Sequence, residues 1–191
     1  GFITPLVPFA ERQNIIMKLM IASDIHGSAY YLDLLLKCFD TEKPDRLLLL
    51  GDILYHGPRN DLPEGYNPKE VAKRLNNIKN SLLCVRGNCD SEVDQMMLEF
   101  PILADYAYIS ADGLDIFATH GHIFNKASLP LLKPNDILLH GHTHVTAFEK
   151  FGGNNYYINP GSVSIPKENT NRGYLILEQG TFTFKDLSGK A

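Results

Sequence analysis

The chain has 191 residues, with 18 lysines and arginines against 22 aspartates and glutamates, and 44% of it is hydrophobic. That suits one soluble globular domain with a real core, and no apolar run is long enough to span a bilayer. A net charge of −4 argues against long nucleic acid as a partner, since that needs a basic face.

Residues 1–16 are apolar in places, but Pro5 and Pro8 interrupt them and no basic segment precedes them. They read as an extension, native or left over from expression, and not as a signal peptide. Residues 17–191 read as a single domain. Lys18–Ser23, Arg46–Leu50 and Ser81–Val85 are short, nearly continuous apolar runs, the pattern of strands covered on both faces. Each ends abruptly in a polar loop: Asp24-Ile25-His26-Gly27, Gly51-Asp52, and Arg86-Gly87-Asn88.

Helices are expected at Ser28–Phe39, with Ser28 as cap, at Asn67–Ile78, opened by Pro68, and at Ser91–Phe100. Strand–helix alternation implies parallel strands joined by right-handed crossovers. Later, Asp115–Ala118 runs into Thr119-His120-Gly121-His122, and Asp136–Leu139 into His140-Gly141-His142-Thr143-His144. Hairpins are expected around Ala111-Asp112-Gly113 and Gln179-Gly180. The class is α/β, with mixed sheets packed together and helices outside.

Taken alone, Asp24-x-His26, Gly51-Asp52 and Gly87-Asn88 are weak signals, open to reading as accidental loops, a helix cap and a turn. The histidines change this. All seven (His26, His56, His120, His122, His140, His142 and His144) fall in loops after expected strands. In an open α/β sheet the carboxyl ends of the strands face one crevice. Asp24, His26, Asp52, Asn88, His120, His142 and His144 would converge there. Side chains two apart on an extended segment point the same way, so Asp24 with His26, and His142 with His144, can each serve one ion. Seven oxygen and nitrogen donors with no thiolate are too many for one tetrahedral zinc and suit two divalent ions. Manganese is the first choice, with iron, zinc, nickel and magnesium as alternatives. Asp52 is the natural bridging carboxylate.

These motifs, in this order, resemble the calcineurin-like metallophosphoesterases. Gly87-Asn88-Cys89-Asp90, Thr119-His120-Gly121-His122 and Asn159-Pro160-Gly161-Ser162 resemble the YfcE-like small phosphodiesterase branch. The resemblance implies a four-layer α/β/β/α sandwich of two mixed sheets. It implies one metal on Asp24, His26, Asp52 and His144, and a second on Asp52, Asn88, His120 and His142. It also implies hydrolysis of a small phosphodiester by a hydroxide held between the ions, with Asp52, Asn88 and His120 as the catalytic set.

Phosphatases of the superfamily usually carry histidine after the asparagine, where this chain has Cys89. A thiol replaces imidazole poorly as general acid, which favours diesters with good leaving groups. Asn88, Cys89, Arg59, His56 and His122 are the candidate substrate contacts. His140 is expected to pack at its strand end, and Ser162 to serve as a structural hydroxyl. A metal-binding scaffold on the same fold, a phosphomonoesterase and a nuclease are the alternatives. Cys38, Cys84 and Cys89 lack CxxC spacing, which fits a reducing cytoplasm. Homo-oligomerisation stays open.

Overall fold

The computed structural model describes residues 17–191, and the extension expected over 1–16 lies outside them. The first half alternates strand and helix: β1 (Leu19–Ala22), α1 (Ala29–Glu42), β2 (Arg46–Leu49), α2 (Pro68–Asn77) and β3 (Leu82–Cys84). The three strands are parallel, in the order β1-β2-β3. Their continuous apolar pattern has a direct cause in the layering. Met20, Ala22, Leu47 and Leu49 pack toward α1 and α2, while Leu19, Ile21 and Leu48 pack into the second sheet. A strand buried on both faces has no polar side to alternate with.

The helices start where capping chemistry places them. The Ser28 hydroxyl accepts the Tyr31 amide, and the Asn67 side chain accepts the Glu70 amide with Pro68 in the first turn. A third helix, α3 (Glu92–Met97), opens on a Ser91–Asp94 capping box and is shorter than the expected span to Phe100.

The second half is mostly strand: β4 (Tyr106–Ala111), β5 (Leu114–Thr119), β6 (Ile137–Leu139), β7 (Thr146–Phe151), β8 (Asn155–Pro160), β9 (Gly173–Glu178) and β10 (Thr181–Asp186). The β9–β10 hairpin joins the first sheet antiparallel to β1, giving β10-β9-β1-β2-β3. The other five strands form a second mixed sheet, β4-β5-β6-β8-β7. The two sheets meet across an apolar core of Ile21, Leu48, Ile116, Leu139, Ile158 and Leu175.

The two-sheet sandwich stands as expected, with α1 and α2 covering the first sheet. The outer face of the second is covered differently, by residues 121–136, which hold neither helix nor strand. Phe124 and Leu132 from this coil pack on Phe117, Leu138 and Tyr157. Pro130 and Pro134 interrupt the segment, and each removes a helical donor. The β7–β8 hairpin was not expected either. β7 is an edge strand whose central residues face solvent, so the alternation that announces a strand is missing.

Candidate metal centre

β1, β2, β5 and β6 all end at one edge of the sandwich, and the loops that follow meet there. Asp24 and His26 come from the loop after β1, Asp52 from after β2, and Asn88 from after β3. The second sheet supplies His120 after β5, and His142 and His144 after β6.

The backbone geometry is not the extended one expected. Asp24, His26, Asp52, His142 and His144 have φ of 59°, 48°, 56°, 67° and 61°, in the left-handed region. Residues other than glycine sit there at a cost of about 1–2 kcal/mol each, and such strain gathers at functional sites. Hydrogen bonds between loops hold it: the Asp24 amide donates to the Gly51 carbonyl at 3.1 Å, and the His26 amide to the Asp52 carbonyl at 2.9 Å.

Three histidines are anchored alike. Nδ1 of His26, His120 and His144 lies 2.9, 2.6 and 2.8 Å from the carbonyls of Tyr55, Leu50 and Ile165. A carbonyl can only accept, so each Nδ1 carries its proton and each Nε2 is free to ligate. These Nε2 atoms converge. His26 Nε2 faces His144 Nε2 at 3.2 Å, and His120 Nε2 faces His142 Nδ1 at 3.2 Å. Asn88 Oδ1 is 3.1 Å from His120 Nε2. Asp52 Oδ2 lies between the two groups, 3.6 Å from His26 Nε2 and 3.4 Å from His120 Nε2.

The carboxylates are oriented from behind. Asp24 Oδ2 accepts the Ser23 hydroxyl at 2.6 Å and the His142 amide at 3.0 Å. Its Oδ1 is buried, has no hydrogen-bond partner among the described residues, and points at the histidines. Asp52 Oδ1 accepts the Cys89 amide at 2.8 Å, which leaves Oδ2 for the centre. Asp90 ties the loops together: its buried carboxylate accepts the amides of Asp52, Ile53 and Gly87 at 2.8, 2.9 and 2.7 Å. Ser162 donates to the Asp24 carbonyl at 2.8 Å, the structural part expected of it.

Burial would raise Asp24, but the His144 and His26 rings beside its Oδ1, at 3.2 and 3.5 Å, hold its carboxyl well below the usual range. Burial opposes charge on His120 too, yet the Asp52 carboxylate raises it to about 9. Burial and the neighbouring His120 charge drop His142 to about 4. An orphaned buried carboxylate oxygen and facing pairs of ring nitrogens are what divalent cations satisfy. The donors fall into two sets with Asp52 common to both: Asp24, His26 and His144 on one side, Asn88, His120 and His142 on the other. The residues fit two ions.

Residues 17–181 match the calcineurin-like phosphoesterase superfamily domain. The chain belongs to that superfamily. Phosphodiesterase YfcE of Escherichia coli K12 is 49% identical over 162 residues, which covers 85% of this chain and 88% of that protein. The solved structure of YfcE, a phosphoesterase from E. coli, superposes with a TM-score of 0.88 at 46% identity and covers 92% of this chain and 96% of that one. Vacuolar protein sorting 29 from Cryptosporidium parvum, at 17% identity and a TM-score of 0.55 over 88% of this chain and 95% of that one, shares the fold.

A pocket of about 390 Å³ opens over this phosphoesterase centre, with Asp52, Asn88 and His142 at its base. Arg59 and Cys89, both expected contacts, line it. Asn60, Thr143 and Lys167 line it too, and sequence reasoning missed them. Thr143 sits between two expected ligands and Asn60 beside Arg59, but neither residue type announces a contact, and Lys167 lies in a polar loop without a motif. His56 and His122 do not reach this wall. His56 packs edge-on between Tyr55 and Tyr66, with ring centroids 4.8 and 5.3 Å away. His122 sits behind His120, 5.4 Å between ring centroids. His140 lies on the Tyr157 ring at 4.5 Å, at its strand end and outside the donor sets.

Proposed function

We propose that this chain is a metal-dependent phosphodiesterase that hydrolyses a small phosphodiester at two divalent cations, manganese by preference. The observation that carries the reading is Asp52 Oδ2, placed between two groups of nitrogen and oxygen donors. The first cation would be held by Asp24, His26, Asp52 and His144, and the second by Asp52, Asn88, His120 and His142. When bound, such ions lower the pKa of water and offset negative charge on phosphate oxygens.

The chain's own residues do the rest. Asn88 orients the phosphate beside the second donor set, and Arg59 and Lys167, on the pocket wall, offer charged donors to the anionic ester. Asp52 and His120 act through position, since carbonyl and amide partners lock both before substrate arrives.

Cys89 supports diester over monoester. Burial and the Asp52 carboxylate push its thiol up to about 12. At neutral pH it is neither nucleophile nor efficient acid, so a leaving group beside it departs unprotonated. The relative YfcE is named a phosphodiesterase. The three free cysteines fit a reducing cytoplasm, and no helix among the described residues is long and apolar enough to cross a membrane.

Protein stripped of metal and reloaded with Mn²⁺ should bind about two ions per chain by elemental analysis. It should cleave bis(4-nitrophenyl) phosphate faster than 4-nitrophenyl phosphate. No metal-dependent hydrolysis of either overturns the reading. Asp52→Ala should cost more than the roughly 100-fold that a mere supporting residue costs, with the circular dichroism spectrum unchanged.

A further inference from the structure

Beside the metal pocket lies a second cavity of about 420 Å³ with a mostly apolar surface. Leu54, Tyr55, Tyr66 and Pro68 form one wall, and Val93 and Met97 of α3 form the other. Tyr55, Val93 and Met97 are 41%, 69% and 46% exposed, so the patch is open among the described residues. An open apolar concavity with polar rims marks a binding site.

Cys89 belongs to both cavities. Its sulfur, a His26 ring nitrogen and an Asp52 carboxylate oxygen all lie within 4.8 Å of one another. Cys89 thus stands where the apolar cavity adjoins the donor sets, within reach of an ester group on a phosphorus held at the centre. Gly57 keeps that junction open. A Cβ there would come within 3.1 Å of the Cys89 sulfur.

We propose that this second cavity is the subsite for one ester group of the diester and that it selects a flat aromatic group. The inference rests on the phosphodiester reading of the adjoining pocket. Tyr55 and Tyr66 stand on either side of His56 as a short aromatic row, which suits offset or edge-on packing of a further ring. The charged neighbours do not oppose an uncharged guest. The Asp94 carboxylate is engaged by the Ser91 amide at 2.8 Å and hydroxyl at 2.9 Å, and Lys69 sits in the first turn of α2. The two cavities together fit an amphiphilic anion: charge over the donor sets, aromatic end on the tyrosines.

The test uses Mn²⁺-loaded protein and isothermal titration calorimetry with two diesters of equal charge, diphenyl phosphate and dimethyl phosphate. Val93→Asp and Met97→Asp place a carboxylate in the apolar wall. Val93 is in the first turn of α3, where an acid suits the helix terminus, and a thermal melt verifies folding for both. The unaltered protein should bind diphenyl phosphate at least about tenfold more tightly than dimethyl phosphate. Each variant should raise the diphenyl phosphate Kd about tenfold and move the dimethyl phosphate Kd less than twofold. Equal affinity for the two diesters, or variants that change neither Kd or both together, overturns the subsite and leaves the phosphodiester reading intact. Failure of both ligands to bind, with no hydrolysis, overturns that reading and the subsite with it.

Discussion

At the scale of single residues, the tightest tolerance in the centre belongs to a glycine. A Cβ on Gly141 would fall 1.9 Å from the Ser23 hydroxyl and 2.7 Å from Asp24 Oδ2. The same Oδ2 receives the Ser23 hydroxyl and the His142 amide, so neither neighbour can yield without turning the Asp24 carboxylate. Gly141→Ala should therefore push the loop bearing His142 and His144 away from Asp24. The expected cost is about 1–3 kcal/mol of stability, with fewer than two manganese ions retained per chain, read by thermal melt and elemental analysis. Gly153→Ala is the control: it meets nothing within 4 Å, bears only backbone strain, and should keep its full metal content. The donors themselves were legible in the sequence, since aspartate, asparagine and histidine stand after apolar runs. How they converge was not. Alternation along an extended segment was the expected device, whereas Asp24, His26, His142 and His144 all have positive φ. No glycine stands at these positions to announce the left-handed backbone. Aspartate and histidine are only somewhat more tolerant of it than other residues, so the loops between strands, not the sequence pattern, impose it.

At the scale of elements, α1 is fastened to the first sheet through a carboxylate at its own last residue. Glu42 stands where the helix dipole disfavours an acid, yet it meets Lys18 beside β1 at 2.9 Å, Lys185 of β10, and the Tyr174 hydroxyl of β9 at 3.2 Å. Burial alone would raise its carboxyl, but Lys185 and Lys18 hold it below the ordinary value. A depressed folded pKa contributes stability above the unfolded pKa, near 4.3, and that stability is lost as pH falls through the folded pKa. Glu42→Gln should thus cost about 1–3 kcal/mol at pH 7. Its denaturation midpoint should begin to approach that of the unaltered protein as pH falls through the ordinary carboxylate range and converge with it once pH is below the depressed folded pKa. A gap that persists there would mean the loss is one of packing rather than charge. The elements of the fold were legible to different degrees. β1, β2, α1 and the β9–β10 hairpin follow from apolar runs, a serine cap and a Gln179-Gly180 turn. β7 did not, because an edge strand with exposed Phe148, Glu149 and Lys150 carries no inward periodicity. The coil over Phe117 and Leu138 was hidden for the opposite reason: it buries apolar residues with no regular period at all.

At the scale of the whole molecule, the centre is also a joint. Asp24, His26, Asp52 and Asn88 ride on the first sheet, and His120, His142 and His144 on the second. Each donor set draws from both, since Asp24 and His26 group with His144, and Asp52 with His120 and His142. Elsewhere the sheets are joined mainly by the apolar core of Ile21, Leu48, Ile116 and Leu139, which is non-directional and does not fix the edge loops. Cations held by these donors would tie the two sheets at that edge, and would bind the folded chain alone because unfolding scatters the donors. Such a ligand, at about 100 times its Kd, adds about 2.7 kcal/mol. For a domain of this length each kcal/mol shifts the melting temperature by about 2–4 °C. Chelation should therefore lower the melting temperature by roughly 5–11 °C for each ion removed, and Mn²⁺ should restore it in a concentration-dependent way. Asp52→Ala, which removes the carboxylate common to both sets, should melt at nearly the same temperature with and without Mn²⁺. Hydrogen exchange separates a joint from a global effect. Chelation should speed exchange first at the Gly51–Asp52 and Gly141–His144 amides and leave the buried strands β1 and β6 protected. Uniform acceleration across both sheets would show that the ions act on folding as a whole and not on the seam.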